Sequence, residues 1–366
     1  MDDDRPLFFH VMAYADSADS DVVDMVSGDP DWEPPAALRE GFREYADRPV
    51  SEYQYAQSAG LGELREEIAA REGVDVERVI VTNGAGEANY LAMACGLRTY
   101  DGDEVILADP VYPYYSGRTR MLDAEPRFVA ADDEGYLDPA SVEEAASDDT
   151  AIIVVNSPNN PTGTVYGEAR KRELLEIAEA HDALLLSDEV YETYDYSGQF
   201  FSLLDIESEH RVVTNSFSKS MAATGIRVGY AILPEHLIDA AQTRHMLVNV
   251  ACSRPAQVAA LRALRETPES YYAESNRLLA DRVDTFTDAL DAAGAEYMTP
   301  EGGFYVLARF DGFPGTLENV KKLIDDAGVA GMPGEGFGET RTDWIRFALV
   351  TPRVEEAADR LAEYFD

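Results

Sequence analysis

The alternation of strand-like and helical segments through the middle of the chain constrains the fold most. Apolar runs rich in β-branched residues, such as VIVT at 79–82, AIIVV at 151–155 and RVVT at 211–214, alternate with amphipathic helical patterns. Continuous apolar strands of this kind are usually buried on both faces. Strands that alternate with helices form a mostly parallel sheet with helices packed on it. We therefore predict an α/β fold.

Polar or small residues follow the end of each of four predicted strands. These residues are Asn83-Gly84, Asn156, Asp188 and the segment from Ser216 to Lys219. The carboxyl ends of parallel strands lie along one edge of a sheet, and cofactors bind at that edge. We therefore expect these four segments to form one site.

Lys219 stands in a loop of small residues between two strand-like runs. Only four of the 30 basic residues of the chain are lysines, so surface charge alone does not account for a lysine there. A partly desolvated lysine can lose its proton and act as a nucleophile, whereas arginine keeps its charge. Ser216 and Arg227 flank Lys219 and are suited to bind a phosphate group, one through a hydroxyl and one through a planar set of N–H donors.

The run SFSKS at 216–220 and the run TGIRVGY at 224–230 together resemble the pyridoxal-phosphate lysine signature of the class I/II aminotransferases, the fold-type I family. The resemblance continues in order from about Gly28 to Pro352. It implies the cofactor pyridoxal 5'-phosphate and a three-layer α/β/α large domain with a smaller α+β domain. It also implies ping-pong transfer of an amino group between an L-amino acid and a 2-oxo acid such as 2-oxoglutarate, as in the aspartate and aromatic aminotransferases.

The resemblance assigns the chemistry to a few polar side chains. Lys219 would bind the cofactor aldehyde and then move the substrate α-proton. Asp188 and Tyr191 match the family's D-x-x-Y, in which the carboxylate keeps the pyridine nitrogen protonated and the tyrosine donates to the phenolic oxygen. Asn160 matches the asparagine of NPTG, which bonds that oxygen and helps to hold the substrate carboxylate.

The phosphate and ring contacts implied by the resemblance complete the cofactor site. They are Gly84, Ala85, Gly86, Tyr112, Ser216, Ser218 and Arg227. The first three open a helix whose free backbone N–H groups favour an anion, and Asn89 in the third glycine position excludes a complete dinucleotide fingerprint. Tyr112 would stack on the pyridine ring, although Tyr114 and Tyr115 also fit that pattern.

Substrate and subunit contacts follow from the same resemblance. Gly28 would offer its backbone N–H to the substrate carboxylate, although a turn glycine is an alternative. Arg346 lies in an apolar strand and should not be buried without a partner, so it would bind the substrate α-carboxylate bidentately, the alternative being a structural ion pair. Tyr55 would reach the cofactor phosphate of a neighbouring subunit, which implies a homodimer. Arg254 is either a surface residue or a contact for a distal carboxylate.

We divide the chain into an N-terminal arm at 1–27 that joins the small domain, a large cofactor-binding domain at 28–245 and a C-terminal small domain at 246–366. The 70 acidic residues exceed the 30 basic ones by 40, which disfavours nucleic acid and anionic membranes as partners. Self-repulsion of this size is tolerable in concentrated salt, so we predict a halophilic protein. The acidic N-terminus and the absence of an 18-residue apolar run favour the cytoplasm.

Other functions fit the residues less well. The two cysteines and five histidines show no ligand-type spacing, so no metal site is predicted. The S-x-x-K motif of acylating serine enzymes is present at 216–219, but the K-T-G that should accompany it is absent. A transcriptional regulator would need a DNA-binding module, and no basic helix-turn-helix segment is present. A histidinol-phosphate-type transaminase, decarboxylase, lyase or synthase of the same fold stays open, although Arg346 and Tyr55 favour transamination of a free amino acid.

Overall fold

The computed structural model describes residues 6–365. Its strands are β1 (Val23–Asp24), β2 (Val79–Thr82), β3 (Glu104–Asp109), β4 (Glu125–Ala130), β5 (Thr150–Asn156), β6 (Leu184–Asp188), β7 (Arg211–Ser216), β8 (Gly229–Ile232), β9 (Glu296–Tyr297), β10 (Tyr305–Arg309), β11 (Val329–Ala330), β12 (Met332–Pro333) and β13 (Ile345–Ala348). Its α-helices are α1 (Leu7–Ser17), α2 (Ala36–Ala46), α3 (Gly62–Glu72), α4 (Ala85–Thr99), α5 (Pro113–Met121), α6 (Pro139–Ala145), α7 (Glu168–Ala180), α8 (Phe217–Ser220), α9 (Glu235–Asn249), α10 (Arg254–Glu266), α11 (Glu269–Ala292), α12 (Leu317–Ala327) and α13 (Val354–Phe365).

A seven-stranded sheet in the order β2-β8-β7-β6-β5-β3-β4 forms the centre of the molecule. The strands β7, β6, β5, β3 and β4 pair in parallel. Strand β8 is antiparallel to both of its neighbours, so β2 runs in the same direction as the parallel strands. The predicted α/β class with a mostly parallel sheet is therefore confirmed, and the carboxyl ends of six strands lie along one edge.

Burial on both faces explains the continuous apolar strands. Ile152 and Val154 of β5 pack in one core cluster with residues of α4 and α9. The alternate residues Ile153 and Val155 pack in another core cluster with residues of α6 and α7. Because successive side chains of a strand point to opposite faces, a strand covered by helices on both sides needs an apolar residue at every position.

Two helices in the last third of the chain lie close to where the sequence pattern predicts them. The pattern predicts helices over Ala256 to Arg265 and over Tyr271 to Ala293, and in the structure α10 and α11 each begin two residues earlier. The earlier start of α10 follows from Pro255, because proline lacks an N–H and fits the first turn of a helix. Among residues 6–365, no helix is long and apolar enough to cross a membrane.

The N-terminal segment packs with the last third of the chain. Strands β12, β13, β10 and β9 form an antiparallel four-stranded sheet, and β1 pairs in parallel with β11. Val11 and Met25 lie in one core cluster with Phe286 and Phe347. These contacts agree with an arm that joins the small domain, but the boundaries after residues 27 and 245 stay a prediction. Residues 1–5 of the arm and residue 366 lie outside the described residues.

Candidate active site

A cavity of about 470 Å³ opens at the edge of the sheet where the six strands end. Its wall contains residues that follow β2, β5, β6 and β7, together with residues of the N-terminal arm and of β10 and β13. Of the residues singled out in the sequence, the following line it: Gly28, Ala85, Gly86, Tyr112, Asn160, Asp188, Tyr191, Ser216, Ser218, Lys219, Arg227 and Arg346. Gly84 and Tyr55 do not line the cavity, although Gly84 directly precedes the lining residue Ala85 in the chain.

Lys219 lies in the short helix α8, directly after β7, and its amine projects into the cavity. Its Nζ donates a hydrogen bond of 2.6 Å to the carbonyl oxygen of Gly28, and no described carboxylate lies within salt-bridge distance. Burial lowers the pKa of the Lys219 amine to about 8. The carboxylate of Asp29 opposes this shift, whereas Arg227 and Arg346 reinforce it. The amine is therefore available as a nucleophile and base near neutral pH.

Asp188, the last residue of β6, presents a buried carboxylate to the cavity. Its Oδ2 accepts hydrogen bonds from Asn89 Nδ2 at 2.7 Å and from the Tyr115 hydroxyl at 2.6 Å. Burial raises the pKa of this carboxyl, and the two hydrogen bonds oppose the shift. The Thr214 hydroxyl donates to Asn89 Oδ1 and fixes the orientation of that amide. A buried, oriented carboxylate of this kind fits a protonated pyridine nitrogen.

One corner of the cavity has the donors that a phosphate group needs. Gly84 precedes α4 with a φ of +78°, and a Cβ there would lie 2.3 Å from Arg227 Nη2, so only glycine fits. The Arg227 guanidinium donates to the Asn83 carbonyl at 3.0 Å and lies 3.5 Å from the Ser218 hydroxyl. Ser216 also lines the wall, and its hydroxyl oxygen accepts from the backbone N–H of Ser218 at 3.3 Å. A guanidinium, two hydroxyls and a helix N-terminus fit the phosphate of the predicted cofactor.

A hydrogen-bonded cluster behind this corner was missed in the sequence. Glu87 Oε2 accepts from the backbone N–H of Asn83 at 2.7 Å, and Glu87 Oε1 lies 2.6 Å from His245 Nδ1. Cys252 Sγ lies 3.8 Å from the other ring nitrogen of His245. Burial raises the pKa of the Cys252 thiol to about 12, so it stays protonated. The cluster ties the loop before α4 to the end of α9, and no motif spacing connects residues so far apart in the chain.

Three tyrosines near the start of α5 differ in their contacts. Tyr115 is buried and its hydroxyl is committed to Asp188. Tyr112 is half-buried, lines the cavity and lies 5.9 Å from the Tyr115 ring. Tyr114 is exposed at the rim. This arrangement leaves Tyr112 as the better candidate for stacking on a cofactor ring, as the sequence predicts.

Arg346 is buried in β13 and faces the cavity. Its Nη1 donates to Asn160 Oδ1 at 3.1 Å, and its Nη2 donates to the carbonyl of Val26 at 2.5 Å. Its guanidinium lies 4.3 Å from the centre of the Tyr305 ring, and its Nε has no hydrogen-bond partner within the described chain. No carboxylate of residues 6–365 forms an ion pair with it, so the structural ion pair considered as an alternative is absent there.

Gly28 lies where two other residues approach the backbone. A Cβ at this position would lie 2.3 Å from the Tyr305 hydroxyl oxygen, so a larger residue would not fit without a shift. Its carbonyl accepts from Lys219, whereas the sequence prediction concerned its N–H. The Tyr305 hydroxyl also lies 3.2 Å from the hydroxyl of Tyr191. The segment around Gly28 therefore closes the cavity over the lysine.

Tyr55 and Arg254 lie outside the cavity wall. Tyr55 is 82% exposed. Arg254 Nη2 forms a salt bridge of 2.8 Å with Glu52, so its charge is already paired. Neither residue reaches the cavity of its own chain.

Comparisons with known proteins agree on one family. The family model "Aminotransferase class I and II" matches residues 20–363. A probable aspartate/prephenate aminotransferase of Thermus aquaticus is 34% identical, over 94% of this chain and 91% of its own length. An aspartate aminotransferase of Pyrococcus horikoshii is 30% identical, over 93% and 90%. The solved structure of a double mutant of Thermus thermophilus aspartate aminotransferase superposes with a TM-score of 0.91 at 30% identity, covering 98% of this chain and 96% of that one.

Proposed function

The chain belongs to the class I and II aminotransferases, which depend on pyridoxal phosphate, and we propose that the cavity around Lys219 is where it transfers an amino group between an L-amino acid and a 2-oxo acid. The observation that carries this assignment is a lysine amine with a pKa lowered to about 8 and no carboxylate partner within the described chain. A buried carboxylate and a phosphate-binding corner lie in the same cavity.

The cavity residues fit the cofactor in three places. Asp188 would bind the pyridine nitrogen, Tyr112 would cover one face of the ring, and the corner formed by Gly84, Ser218 and Arg227 would bind the phosphate. The residues Ala85, Gly86 and Ser216 complete that corner. When bound, pyridoxal phosphate supplies the electron sink that stabilises the carbanion left by removal of the substrate α-proton.

Lys219 would bind the cofactor aldehyde and, once displaced by the substrate amine, act as general base and acid. Its Nζ would take the proton from the substrate Cα and deliver it to the C4′ atom of the cofactor. A base is most effective when its pKa is near the working pH, so a lowered pKa supports this role. The Tyr191 hydroxyl, which lies close to the Tyr305 hydroxyl, would donate to the phenolic oxygen of the cofactor.

Arg346 would bind the substrate α-carboxylate. Hydrogen bonds to Asn160 Oδ1 and to the Val26 carbonyl hold its guanidinium in place. Its Nε has no hydrogen-bond partner within the described chain and could donate to an anion. A buried cation with an unused donor gains more from a carboxylate than a solvated one would. Asn160 would orient the guanidinium and contact both substrate and cofactor, and Gly28 would border the carboxylate.

The homodimer belongs to the same proposal. Tyr55 is exposed in one chain and cannot reach its own cavity, and the exposed apolar side chains of Leu247, Val248 and Val250 offer a surface that a second copy would cover. In the assembled dimer, Tyr55 would reach the cofactor phosphate of its neighbour.

We also propose a halophilic, cytoplasmic protein. The net charge of −40 supports a requirement for concentrated salt. Cys95 and Cys252 are both free and buried, as is common where thiols stay reduced.

The test is a screen of amino donors with the purified holoenzyme in concentrated salt, read by the absorbance of the bound cofactor. At least one L-amino acid should convert it to the aminated form, and a 2-oxo acid should reverse the change. Borohydride reduction followed by peptide mapping should place the pyridoxyl label on Lys219. A label on another lysine would refute the site assignment, and no conversion by any amino acid would refute transamination.

A further inference from the structure

Arg118 is a second cation in the cavity wall that none of the roles above uses. It lies in α5, and its Nη1 is buried without a hydrogen-bond partner within the described chain. Its Nη2 would lie 3.3 Å from a Cβ placed on Gly86. It forms no ion pair with any carboxylate of residues 6–365, and its one ring contact is with Tyr114, at 5.8 Å from the ring centre.

Within residues 6–365, the four other arginines with an unpartnered buried nitrogen each have ion-pair or hydrogen-bond partners. Arg254 pairs with Glu52 at 2.8 Å, and Arg262 pairs with Glu44 at 2.6 Å. Arg341 and Arg346 form no ion pair but donate to carbonyl or amide oxygens, whereas the Arg118 side chain has neither a salt bridge nor a hydrogen bond within the described chain. A partly buried charge without a partner is costly, so an anion from outside the chain is the expected partner.

The charges that face the cavity lead to the same conclusion. Four cationic side chains line it, those of Arg118, Lys219, Arg227 and Arg346, against two carboxylates, those of Asp29 and Asp188. A positive cavity in a protein of net charge −40 attracts anions. Arg227 would bind the cofactor phosphate, and Arg346 would bind the substrate α-carboxylate. Arg118 therefore remains available for one further anionic group.

We propose that Arg118 binds a distal carboxylate of the substrate, so that dicarboxylic amino acids and dicarboxylic 2-oxo acids are the preferred substrates. This inference rests on the proposed function of the cavity. Arg118 would fix the side chain of the substrate while Arg346 fixes its α-carboxylate. The alternative partner for Arg118 is the cofactor phosphate, because Gly86 belongs to the helix N-terminus near that group.

The test compares two unreactive ligands of equal chain length, glutarate with two carboxylates and valerate with one. Their Kd values for the holoenzyme are measured by titration of the cofactor absorbance at one fixed salt concentration. The variants are Arg118→Gln, Arg118→Lys as the conservative rescue, and Arg120→Gln as the matched control. Arg120 lies on the same helix and is exposed.

The native enzyme should bind glutarate more tightly than valerate. Arg118→Gln should weaken glutarate binding by about 10- to 100-fold, the usual range for one charge-assisted contact, and should change the Kd of valerate by less than about threefold. Arg118→Lys should recover part of the loss, and Arg120→Gln should match the native enzyme. The Kd of pyridoxal phosphate for the apoprotein should be the same in all four proteins.

Two results would overturn the proposal. One is an unchanged Kd for glutarate in Arg118→Gln. The other is equal weakening of both ligands together with weaker binding of pyridoxal phosphate, which would assign Arg118 to the phosphate. Neither result depends on turnover, so failure of this inference is distinguishable from failure of transamination, which the amino-donor screen reads separately.

Discussion

Lys171, which is buried, and Lys219, which is half-buried, have opposite environments. Lys171 of α7 is 1% exposed, and its amine donates to Glu189 at 2.8 Å and to the Ser187 hydroxyl at 3.3 Å. Lys219 has only the carbonyl of Gly28 as a hydrogen-bond acceptor among the described residues. The first amine is neutralised by a carboxylate that is itself hydrogen-bonded, whereas the second projects into a cavity with no such partner.

The difference separates a structural cation from a reactive one. Removing a partner from a buried ion pair leaves the other charge buried and unpaired, so such a pair resists change. An amine that must form and break covalent bonds needs the reverse, a weak acceptor and a lowered pKa. Scarcity of lysine in the sequence marks both residues equally, and only their surroundings distinguish them.

The largest expected effect comes from Lys219→Ala. We expect turnover to fall by at least about 10⁴-fold, because both the covalent attachment and the acid/base group are lost. Pyridoxal phosphate should still bind, without the covalent bond. Turnover assays and spectral titration of the cofactor measure the two effects, and unchanged activity would remove Lys219 from its role.

Lys171→Met should show the opposite behaviour. We expect it to lower the free energy of unfolding by about 3–5 kcal/mol, because the charge of Glu189 stays buried without its partner. The folded fraction should keep its turnover number. Denaturant unfolding at constant salt measures the loss, and the double variant with Glu189→Leu should recover part of it. If Lys171→Met had the same free energy of unfolding as the native protein, the structural role assigned to the ion pair of Lys171 with Glu189 would be wrong.

Arg346→Gln tests a buried cation whose guanidinium donates to neutral oxygens and whose Nε has no hydrogen-bond partner within the described chain. We expect KM for the amino acid to rise by about 30- to 300-fold, since a charge-assisted bidentate contact is lost. The Kd of pyridoxal phosphate should stay within about threefold of the native value. Steady-state kinetics with one donor and spectral titration separate the two. A loss of cofactor affinity without a change in KM would assign Arg346 to the cofactor instead.

The lowered pKa of Lys219 predicts a pH dependence. Covalent attachment of pyridoxal phosphate to the apoprotein should accelerate about tenfold per pH unit below 8 and level off above it, because the unprotonated amine reacts. In the apoprotein the unfolded chain binds more protons at this residue between pH 8 and the usual lysine value near 10.4, so its contribution to stability rises with pH over that window. Stopped-flow absorbance gives the midpoint, and a midpoint near 10.4 would contradict the assigned environment.

The smallest effect is expected outside the cavity. Tyr55→Phe should raise the Kd of pyridoxal phosphate by about 2- to 10-fold, the value of one hydrogen bond, if the residue serves a neighbouring subunit. Tyr53→Phe is a matched control on the same exposed segment. Sedimentation should give a dimer for both variants. Native cofactor affinity in a dimeric Tyr55→Phe would exclude this contact.

The sequence by itself determined the α/β class, the approximate positions of several helices, and the motif residues that line the cavity. It could do so because helix and strand periodicity and strand-end polarity are local properties of the chain. The tertiary structure decided the contacts of Asp188 with Asn89 and Tyr115, the contact of Lys219 with the carbonyl of Gly28, and the unpaired state of Arg118. These pairs are far apart in the chain, and only the packing of whole elements determines which side chains meet and which remain without a partner.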